Sequence, residues 1–337
     1  MGEKNESICS YLNKPDIFAD FINGSLFSGN KVISVEELET PVFTGKEMHK
    51  DREGKTVSKL RNRDVVKFRK GGEQLAVIAV ENQDELNYIM PFRCMEYDVE
   101  DYAKQIRRIK KRHERDGDLK DSAEFLSGIK KEDKLNPVVT VIFYHGEGTW
   151  NTCKSLHDML NFKKENVIMR RYTPNYESLI ISLQEMDENK YETGLRELIG
   201  VMKRSSDKQR MQEYLEENQQ RFQKLDDDTY DVISVMTNHK KLEYFKEQNR
   251  TKEGGVNMCK AFQEMEDEAR ERGYQDGIQR GIQDGMQQGM QQGTLLGEEK
   301  IIKLIKKLIE AGRNAEILAV TESPEVRKRL YQEFALV

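Results

Sequence analysis

Two segments with the residue types of β-strands flank the sequence Lys70-Gly71-Gly72-Glu73, and the second contains the apolar run from Leu75 to Val80. The two glycines supply the positive φ angles that a tight turn needs. The pattern over residues 59–83 therefore predicts a β-hairpin in which Lys70 pairs with Glu73.

Polar residues mark the two ends of this hairpin that lie away from the turn. The first strand begins near Asp64, and the second ends with Glu81-Asn82-Gln83. In the predicted register Asp64 lies opposite Ala79 and shares one face with Glu81 and Gln83. Carboxylate and amide oxygens are hard donors that suit Mg²⁺ or Mn²⁺. The pattern predicts a metal site here, although a polar strand end without a metal is the common alternative.

Other elements follow from the spacing of apolar residues. Helical spacing predicts a helix over residues 14–29, where Asp20 lies beside the apolar stripe as a further candidate metal ligand or as an exposed carboxylate. The unbroken apolar run from Val138 to Tyr144 predicts a buried central strand. His145 follows this strand as a candidate phosphate contact or proton carrier, or as a hydrogen-bonded loop histidine. A last strand is predicted at Val167–Arg171.

A helix predicted over residues 98–115 carries basic side chains at helical spacing on one side. Such a ridge can follow a phosphate backbone by charge alone, and a solvated basic face is the alternative. On the first hairpin strand, cations from Lys59 to Arg69 alternate away from the face of Asp64. The candidate DNA-binding residues are Arg61, Arg63, Lys104, Arg107, Arg108 and Lys111.

Glycine recurs at every fourth position in the last quarter of the chain. In a helix each glycine costs about 1 kcal/mol relative to alanine, so close approach of another backbone would have to compensate. We expect a helix–helix stem that makes the protein a homodimer; a flexible linker and a nucleic-acid-contacting arm are the alternatives. The repeat consists of Gly273, Gly277, Gly281, Gly285, Gly289, Gly293 and Gly297.

The composition of the chain limits its organisation, its partners and its location. With 36% hydrophobic and 34% charged residues among 337, a single globule is not expected, and the net charge of −5 does not exclude nucleic acid as a partner. No run approaches the roughly 18 apolar residues that cross a bilayer, and the N-terminus lacks a signal-peptide core, so we expect a cytoplasmic protein without a membrane partner. Four cysteines without CxxC spacing are expected to be reduced thiols.

Three segments resemble one protein family. They are FADFINGSLFSGNKVI from Phe18 to Ile33, MPFRCMEYDVEDY from Met90 to Tyr102, and NPVVTVIFYHGEGTW from Asn136 to Trp150. Together with an acid followed by Glu-x-Gln, they resemble the Rpn group of recombination-promoting nucleases, which are PD-(D/E)XK family transposases. The resemblance covers most of residues 10–185, and the glycine repeat also fits it.

The resemblance implies an α/β, restriction-endonuclease-like mixed sheet flanked by helices, followed by a helical C-terminal region with a glycine-repeat stem. It implies a metal-dependent DNA endonuclease linked to mobile DNA, recombination or phage defence. Asp64 and Glu81 would hold Mg²⁺ or Mn²⁺, and Gln83 would orient the attacking water. Many PD-(D/E)XK enzymes carry lysine where this chain has Gln83. The alternative is therefore a catalytically weak or inactive DNA-binding or interaction protein.

Three regions are expected along the chain. Residues 1–185 would form the nuclease-like domain, and residues 186–265 a helical region. Residues 266–337 would contain the glycine-repeat helix and the C-terminal helices used for self-association.

Overall fold

A computed structural model describes residues 2–40, 48–50, 56–58, 64–80, 88–146, 148–163, 167–238 and 240–336. At residues 48–50, 56–58, 77–80, 167 and 240–241 it describes the backbone alone. Contacts divide the chain into two compact units, Met1–Met265 and Glu266–Val337.

The first unit is organised around a five-stranded mixed sheet in the order β1-β4-β5-β6-β7. Strand β4 is antiparallel to β1 and β5, whereas β5, β6 and β7 run parallel. A separate antiparallel pair is formed by β2 and β3. The strands are β1 (Leu38–Glu39), β2 (Met48–Lys50), β3 (Thr56–Ser58), β4 (Val65–Arg69), β5 (Gln74–Val80), β6 (Val138–Tyr144) and β7 (Leu179–Ser182).

Helices flank the sheet and also form most of the C-terminal part of the described chain. They are α1 (Glu3–Leu12), α2 (Pro15–Leu26), α3 (Met90–Asp116), α4 (Ser122–Ser127), α5 (Leu156–Met159), α6 (Val167–Tyr172), α7 (Leu195–Met202), α8 (Lys208–Glu217), α9 (Gln219–Phe222), α10 (Asp227–Met236), α11 (Lys240–Lys246), α12 (Met258–Glu310), α13 (Ala315–Glu322) and α14 (Pro324–Glu333). The predicted mixed sheet with flanking helices and a helical C-terminal region is confirmed.

The two faces of the sheet pack against different helices, as the period-two alternation of strands requires. Val65, Leu75 and Phe143 belong to a large core that also contains residues of α1, α2, α7 and α10. Ile142 and Tyr144 face the other way and pack with Met90, Cys94 and Tyr97 of α3. The large core continues without a break past residue 185 to Ala261, so the sheet and the helices that follow it share one interior.

The interior strand β6 shows how directly an apolar run fixes an element. Its predicted bounds, Val138 to Tyr144, are the observed ones, and Val141 and Tyr144 are fully buried. The last strand was predicted wrongly at Val167–Arg171, because that segment is helix α6, in which Ile168 is 66% exposed. Leu179–Ser182 occupies the position beside β6 instead.

The hairpin forms, but its register differs by one residue from the prediction. Arg69 rather than Lys70 pairs with Glu73, and Gly71 and Gly72 both adopt positive φ in a three-residue loop. The N–H of Lys70 donates instead to the carbonyl of Glu37 at 2.8 Å, which draws Lys70 toward the start of β1.

This register shift changes which residues face each other across the hairpin. Val65 pairs with Val77, so the same register continued by one residue brings Asp64 level with Ile78 rather than Ala79. Asp64 itself is a bend residue that precedes β4.

The second unit has its own apolar core. Leu304 and Leu308 of α12, Val320 of α13 and Leu330 of α14 are almost completely buried together. Across the described ranges, no helix has both the length and the apolar composition that crossing a bilayer requires.

Candidate functional site at the carboxyl edge of the sheet

The parallel strands of the sheet end at one edge. Val80 pairs with Tyr144, and Tyr144 pairs with Ser182, so the carboxyl ends of β5, β6 and β7 are level. Asp64 immediately precedes β4, which is antiparallel to β5, so Asp64 lies at this same edge. Edges of this kind are where α/β sheets commonly bind ligands.

Asp64 is half-buried in a bend, and its charge acts on Cys9 of α1. Burial, and secondarily the Asp64 carboxylate, raises the pKa of the Cys9 thiol to about 12. The Asp64 carboxylate therefore lies toward the α1 side of the sheet. Cys9 remains protonated near neutral pH, which excludes it as a thiolate nucleophile.

His145 follows β6 at the same edge, and only 5% of its surface is exposed. Its Nε2 donates to Oδ1 of Asn5 in α1 at 2.7 Å, and its Nδ1 is buried without a hydrogen-bond partner. Burial, together with the charge of Lys4, lowers the pKa of His145 to about 4. The imidazole is thus neutral near pH 7, which supports the alternative of a hydrogen-bonded loop histidine.

Two of the three residues predicted to form the catalytic set, Glu81 and Gln83, lie outside the described residues. The same holds for the DNA-binding candidates Arg61 and Arg63. Asp64 is the described member of the set, and it contributes one hard carboxylate donor of the kind Mg²⁺ prefers. Within the described ranges, no group of three or more His, Cys, Asp or Glu side chains could hold a metal ion.

Asp20, predicted as a further metal ligand, has a different set of partners. Its Oδ2 accepts hydrogen bonds from the backbone N–H of Glu192 at 3.0 Å and of Thr193 at 2.8 Å. The hydroxyl of Thr193 donates to the same oxygen at 2.6 Å. These bonds tie α2 to the segment that leads into α7. They are the contacts of a carboxylate that fastens two distant chain segments together.

The basic side of α3 is partly free and partly neutralised. Arg107, Arg108 and Lys111 are exposed and form no ion pair with any described residue. Lys104 is less available, because its ammonium group pairs with Asp101 at 3.2 Å. Arg107, Arg108 and Lys111 are therefore the exposed part of this basic side.

The cations of β4 are engaged inside the protein. Lys67 is 1% exposed, and its ammonium donates to Oδ1 of Asn13 at 2.9 Å and to Oγ1 of Thr40 at 2.7 Å. Arg69 pairs with Glu37 at 2.9 Å. These two side chains therefore have their partners within the protein.

Residues 63–232, half of the chain, match the family model described as "Putative transposase, YhgA-like". The chain belongs to this family. It is the Rpn, PD-(D/E)XK transposase-like family, so the resemblance found in the sequence is confirmed. The family description associates the chain with transposition and thus with mobile DNA. Searches of curated proteins and of solved structures gave no match.

The family match runs from the start of β4 through the sheet into α10. Helix α1, which borders the site with Asn5 and Cys9, lies before the matched residues and was not predicted. A signal for it was present, because Asn5, Ile8, Cys9 and Leu12 have the spacing of one helix face and are all buried.

Proposed function

We propose that this chain is a DNA endonuclease of the PD-(D/E)XK type that uses Mg²⁺ or Mn²⁺, built on a restriction-endonuclease-like sheet. The observation that carries the proposal is the position of Asp64 at the carboxyl edge, on the α1 side of the sheet. Strand β5 ends at Val80 on that same edge, and the next residues in the chain are Glu81-Asn82-Gln83.

The alternation of side chains along β5 supports the proposal that Asp64, Glu81 and Gln83 lie on one side of the sheet. Leu75 faces the core formed with α1. Since side chains two residues apart share a face, Glu81 and Gln83 are expected on the α1 side, where the Asp64 carboxylate also lies. The bend at Asp64, rather than the hairpin register, is what brings the three together in this proposal.

The proposed roles follow from the chemistry of each side chain. Asp64 and Glu81 would hold the cation, which when bound neutralises charge on the scissile phosphate and lowers the pKa of water. The Gln83 amide orients the attacking water through a hydrogen bond, but it supplies no positive charge. Neutral His145 sits one residue beyond β6 with an unprotonated Nδ1, so it does not compete with the cation for the phosphate.

The exposed cations of α3 would hold DNA at a distance from the scissile phosphate, because Gln105 of α3 bonds to Asn136, just before β6 and thus at the opposite edge of the sheet. Arg107, Arg108 and Lys111 are unpaired among the described residues and can contact successive phosphates without reading bases. This fits an enzyme that binds DNA of any sequence, with affinity that falls as salt rises.

The test is cleavage of supercoiled plasmid by the purified full chain in Mg²⁺, Mn²⁺ or EDTA. We expect nicking that requires the metal and that is lost in Asp64→Asn and Glu81→Gln. Asp16→Asn is the matched control, because Asp16 is an exposed carboxylate on α2 with no hydrogen bond to a described residue. A mobility shift without cutting by the wild type would replace this proposal with the binding protein in which catalysis has been lost.

We further propose that the glycine repeat of α12 joins two copies of this chain. In the structure the repeat is part of one continuous helix, Met258–Glu310. A Cβ added at any of the seven glycines would meet no atom within 4 Å. Among the residues that the structure describes, no contact therefore offsets the roughly 7 kcal/mol that these glycines cost relative to alanine.

The surface beside the glycines is apolar and exposed. The row that follows them consists of Tyr274, Ile278, Ile282, Met286 and Met290, whose exposed fractions run from 43% to 76%. A glycine row is a groove and the adjacent row is a ridge, so two copies are self-complementary when each ridge enters the other's groove. That symmetry favours a second copy over an unrelated partner.

The four-residue period also sets how two such helices would meet. Because an α-helix has 3.6 residues per turn, the glycine row advances about 40° around the axis at every repeat. Packing along such rows gives crossing angles near −50°, at which only the central repeats are in close contact. Gly281, Gly285 and Gly289 would therefore be the critical positions.

A further inference from the structure

A cavity of about 610 Å³ opens beside the carboxyl edge of the sheet, on the α3 side. Tyr88, just before α3, forms one wall, and the loop after β6 forms the rest. From that loop the cavity is lined by Trp150, Asn151, Thr152, Cys153, Lys154 and, further on, Asp158. The cavity is largely open to solvent, and its volume admits a single planar ring laid against the wall.

The floor of this cavity is fixed by the sheet. Trp150 is 7% exposed, and its ring packs edge-on against Tyr144 at a centroid distance of 5.7 Å. Tyr144 pairs with Val80, the residue that immediately precedes Glu81 in the chain. The cavity is therefore anchored to the strand end from which the proposed catalytic residues continue.

Tyr88 forms the exposed wall. Its side chain is 75% exposed, an unusual state for a large aromatic residue beside a cavity. Because Ile89 is already the residue that precedes α3, the backbone of Tyr88 is held at a helix start while its ring remains accessible. An accessible ring in this position offers a flat face on which a second planar ring can stack.

Unused polar groups lie beside these rings. Oγ1 of Thr152 is buried without a hydrogen-bond partner. The amide of Asn151 and the ammonium of Lys154 make no bond to any described residue, and both residues are at the surface. Asp158 is committed elsewhere, since its Oδ2 accepts from the N–H groups of Lys154 and Ser155 at 3.0 and 2.8 Å. The free groups are thus one hydroxyl, one amide and one cation.

We propose that this cavity receives one unpaired nucleobase of a DNA strand that passes around the carboxyl edge from the proposed metal ligands on the α1 side. A nucleobase supplies a planar face for Tyr88, edge atoms for Thr152 and Asn151, and a flanking phosphate for Lys154. The inference rests on the proposed function for the identity of the ligand, but the cavity itself does not depend on cleavage. A base taken out of the helix costs least at a single-stranded or distorted site, so such sites are preferred substrates.

The chain carries its own probe for this binding. Trp150 is its single tryptophan and lines the cavity. A base that enters the cavity should quench tryptophan emission in the full-length protein. The ligand is a short single-stranded oligonucleotide in EDTA, so that binding is measured in the absence of cutting.

Replacing Tyr88 gives the decisive result. Loss of one base–aromatic stack corresponds to roughly a 5- to 150-fold loss of affinity, so Tyr88→Ala should bind the oligonucleotide weakly and lose the quenching. Tyr88→Trp should retain affinity, and Thr152→Val should lose about 2- to 10-fold because one hydrogen bond is removed. Tyr244→Ala is the matched control, since Tyr244 is 70% exposed in α11.

Wild-type affinity and quenching in Tyr88→Ala would overturn the cavity proposal. So would displacement of the oligonucleotide by dAMP at equal or lower concentration, because the ligand would then be a free nucleotide. Cleavage of plasmid with no effect of Tyr88→Ala on binding removes the cavity and leaves the nuclease. Tyr88-dependent quenching in a protein that does not cut removes the nuclease and leaves the cavity.

Discussion

Asp20 is either a carboxylate that stabilises the fold or a ligand of a metal ion, and the substitution Asp20→Asn distinguishes these two roles. In the structure, Oδ2 of Asp20 accepts three hydrogen bonds from Glu192 and Thr193. The substitution removes the negative charge and replaces one carboxylate oxygen with an amide that cannot accept. We therefore expect the variant to be less stable while its metal affinity is unchanged.

The magnitude follows from the three bonds. Hydrogen bonds to a charged group contribute about 1.5–3 kcal/mol each, but asparagine keeps one accepting oxygen and the Asp20 side chain is only half-buried. The expected loss in the free energy of unfolding is about 2 kcal/mol. Asp16→Asn on the same helix should lose less than about 1 kcal/mol, since its main interaction is with the helix dipole.

The assay is urea unfolding followed by the fluorescence of Trp150, which is buried and reports on the first unit alone. A parallel titration with Mn²⁺ measures metal affinity. Asp20→Asn should shift the unfolding midpoint and bind Mn²⁺ like the wild type, whereas Asp64→Asn should bind Mn²⁺ weakly. An unchanged midpoint with a tenfold weaker Mn²⁺ affinity would show that Asp20 is a ligand and that our reading of its contacts fails.

Three further predictions concern other parts of the chain. Glutamine at the exposed cations of α3, Arg107, Arg108 and Lys111, should weaken binding to every DNA sequence and reduce the slope of log K against log salt by about 2.7. Arg115→Gln is the control, because Arg115 pairs with Asp116, and an unchanged slope in the triple variant would show that the helix has only a solvated basic face. Leucine at the central glycines, Gly281, Gly285 and Gly289, should dissociate the dimer in sedimentation equilibrium, whereas leucine at Gln279, Gln283 and Gln287 should not. A monomeric wild type would refute the dimer. Because burial lowers the pKa of His145 to about 4, the unfolded state binds more protons than the folded state between about pH 6.5 and 4. The free energy of unfolding of the wild type should therefore fall by up to about 3 kcal/mol as the pH falls through that range, and that of His145→Gln should fall by less. Equal decreases would show that His145 is not buried in its neutral form.

Strand β6 and the basic side of α3 were predictable because each depends on its own residues. A continuous run of apolar residues is expected to form a buried strand in any surroundings. Residues at helical spacing share one face of a helix wherever the helix lies. The family resemblance was likewise carried by short local segments, and the family match confirms it. The proposed set Asp64, Glu81 and Gln83 also came from local pattern, and it remains a prediction.

What failed depended on contacts between distant segments. In the observed hairpin register the N–H of Lys70 donates to the carbonyl of Glu37, a distant contact that no local pattern shows. Segment 167–172 is a helix, and residues 179–182 form the strand beside β6. A strand needs a partner edge, so its identity is decided by competition among segments rather than by its own composition.

The sequence by itself determined the alternation of strands and helices, the charge of α3 and the four-residue glycine period, because each is written in the spacing of neighbouring residues. Only the tertiary structure decided that Lys67 is buried, that Asp20 binds the backbone of residues 192–193, and that His145 is neutral against Asn5. In each case the partner lies far away in the chain. A side chain's charge state and accessibility follow from what the fold packs against it, which its own position in the sequence does not contain.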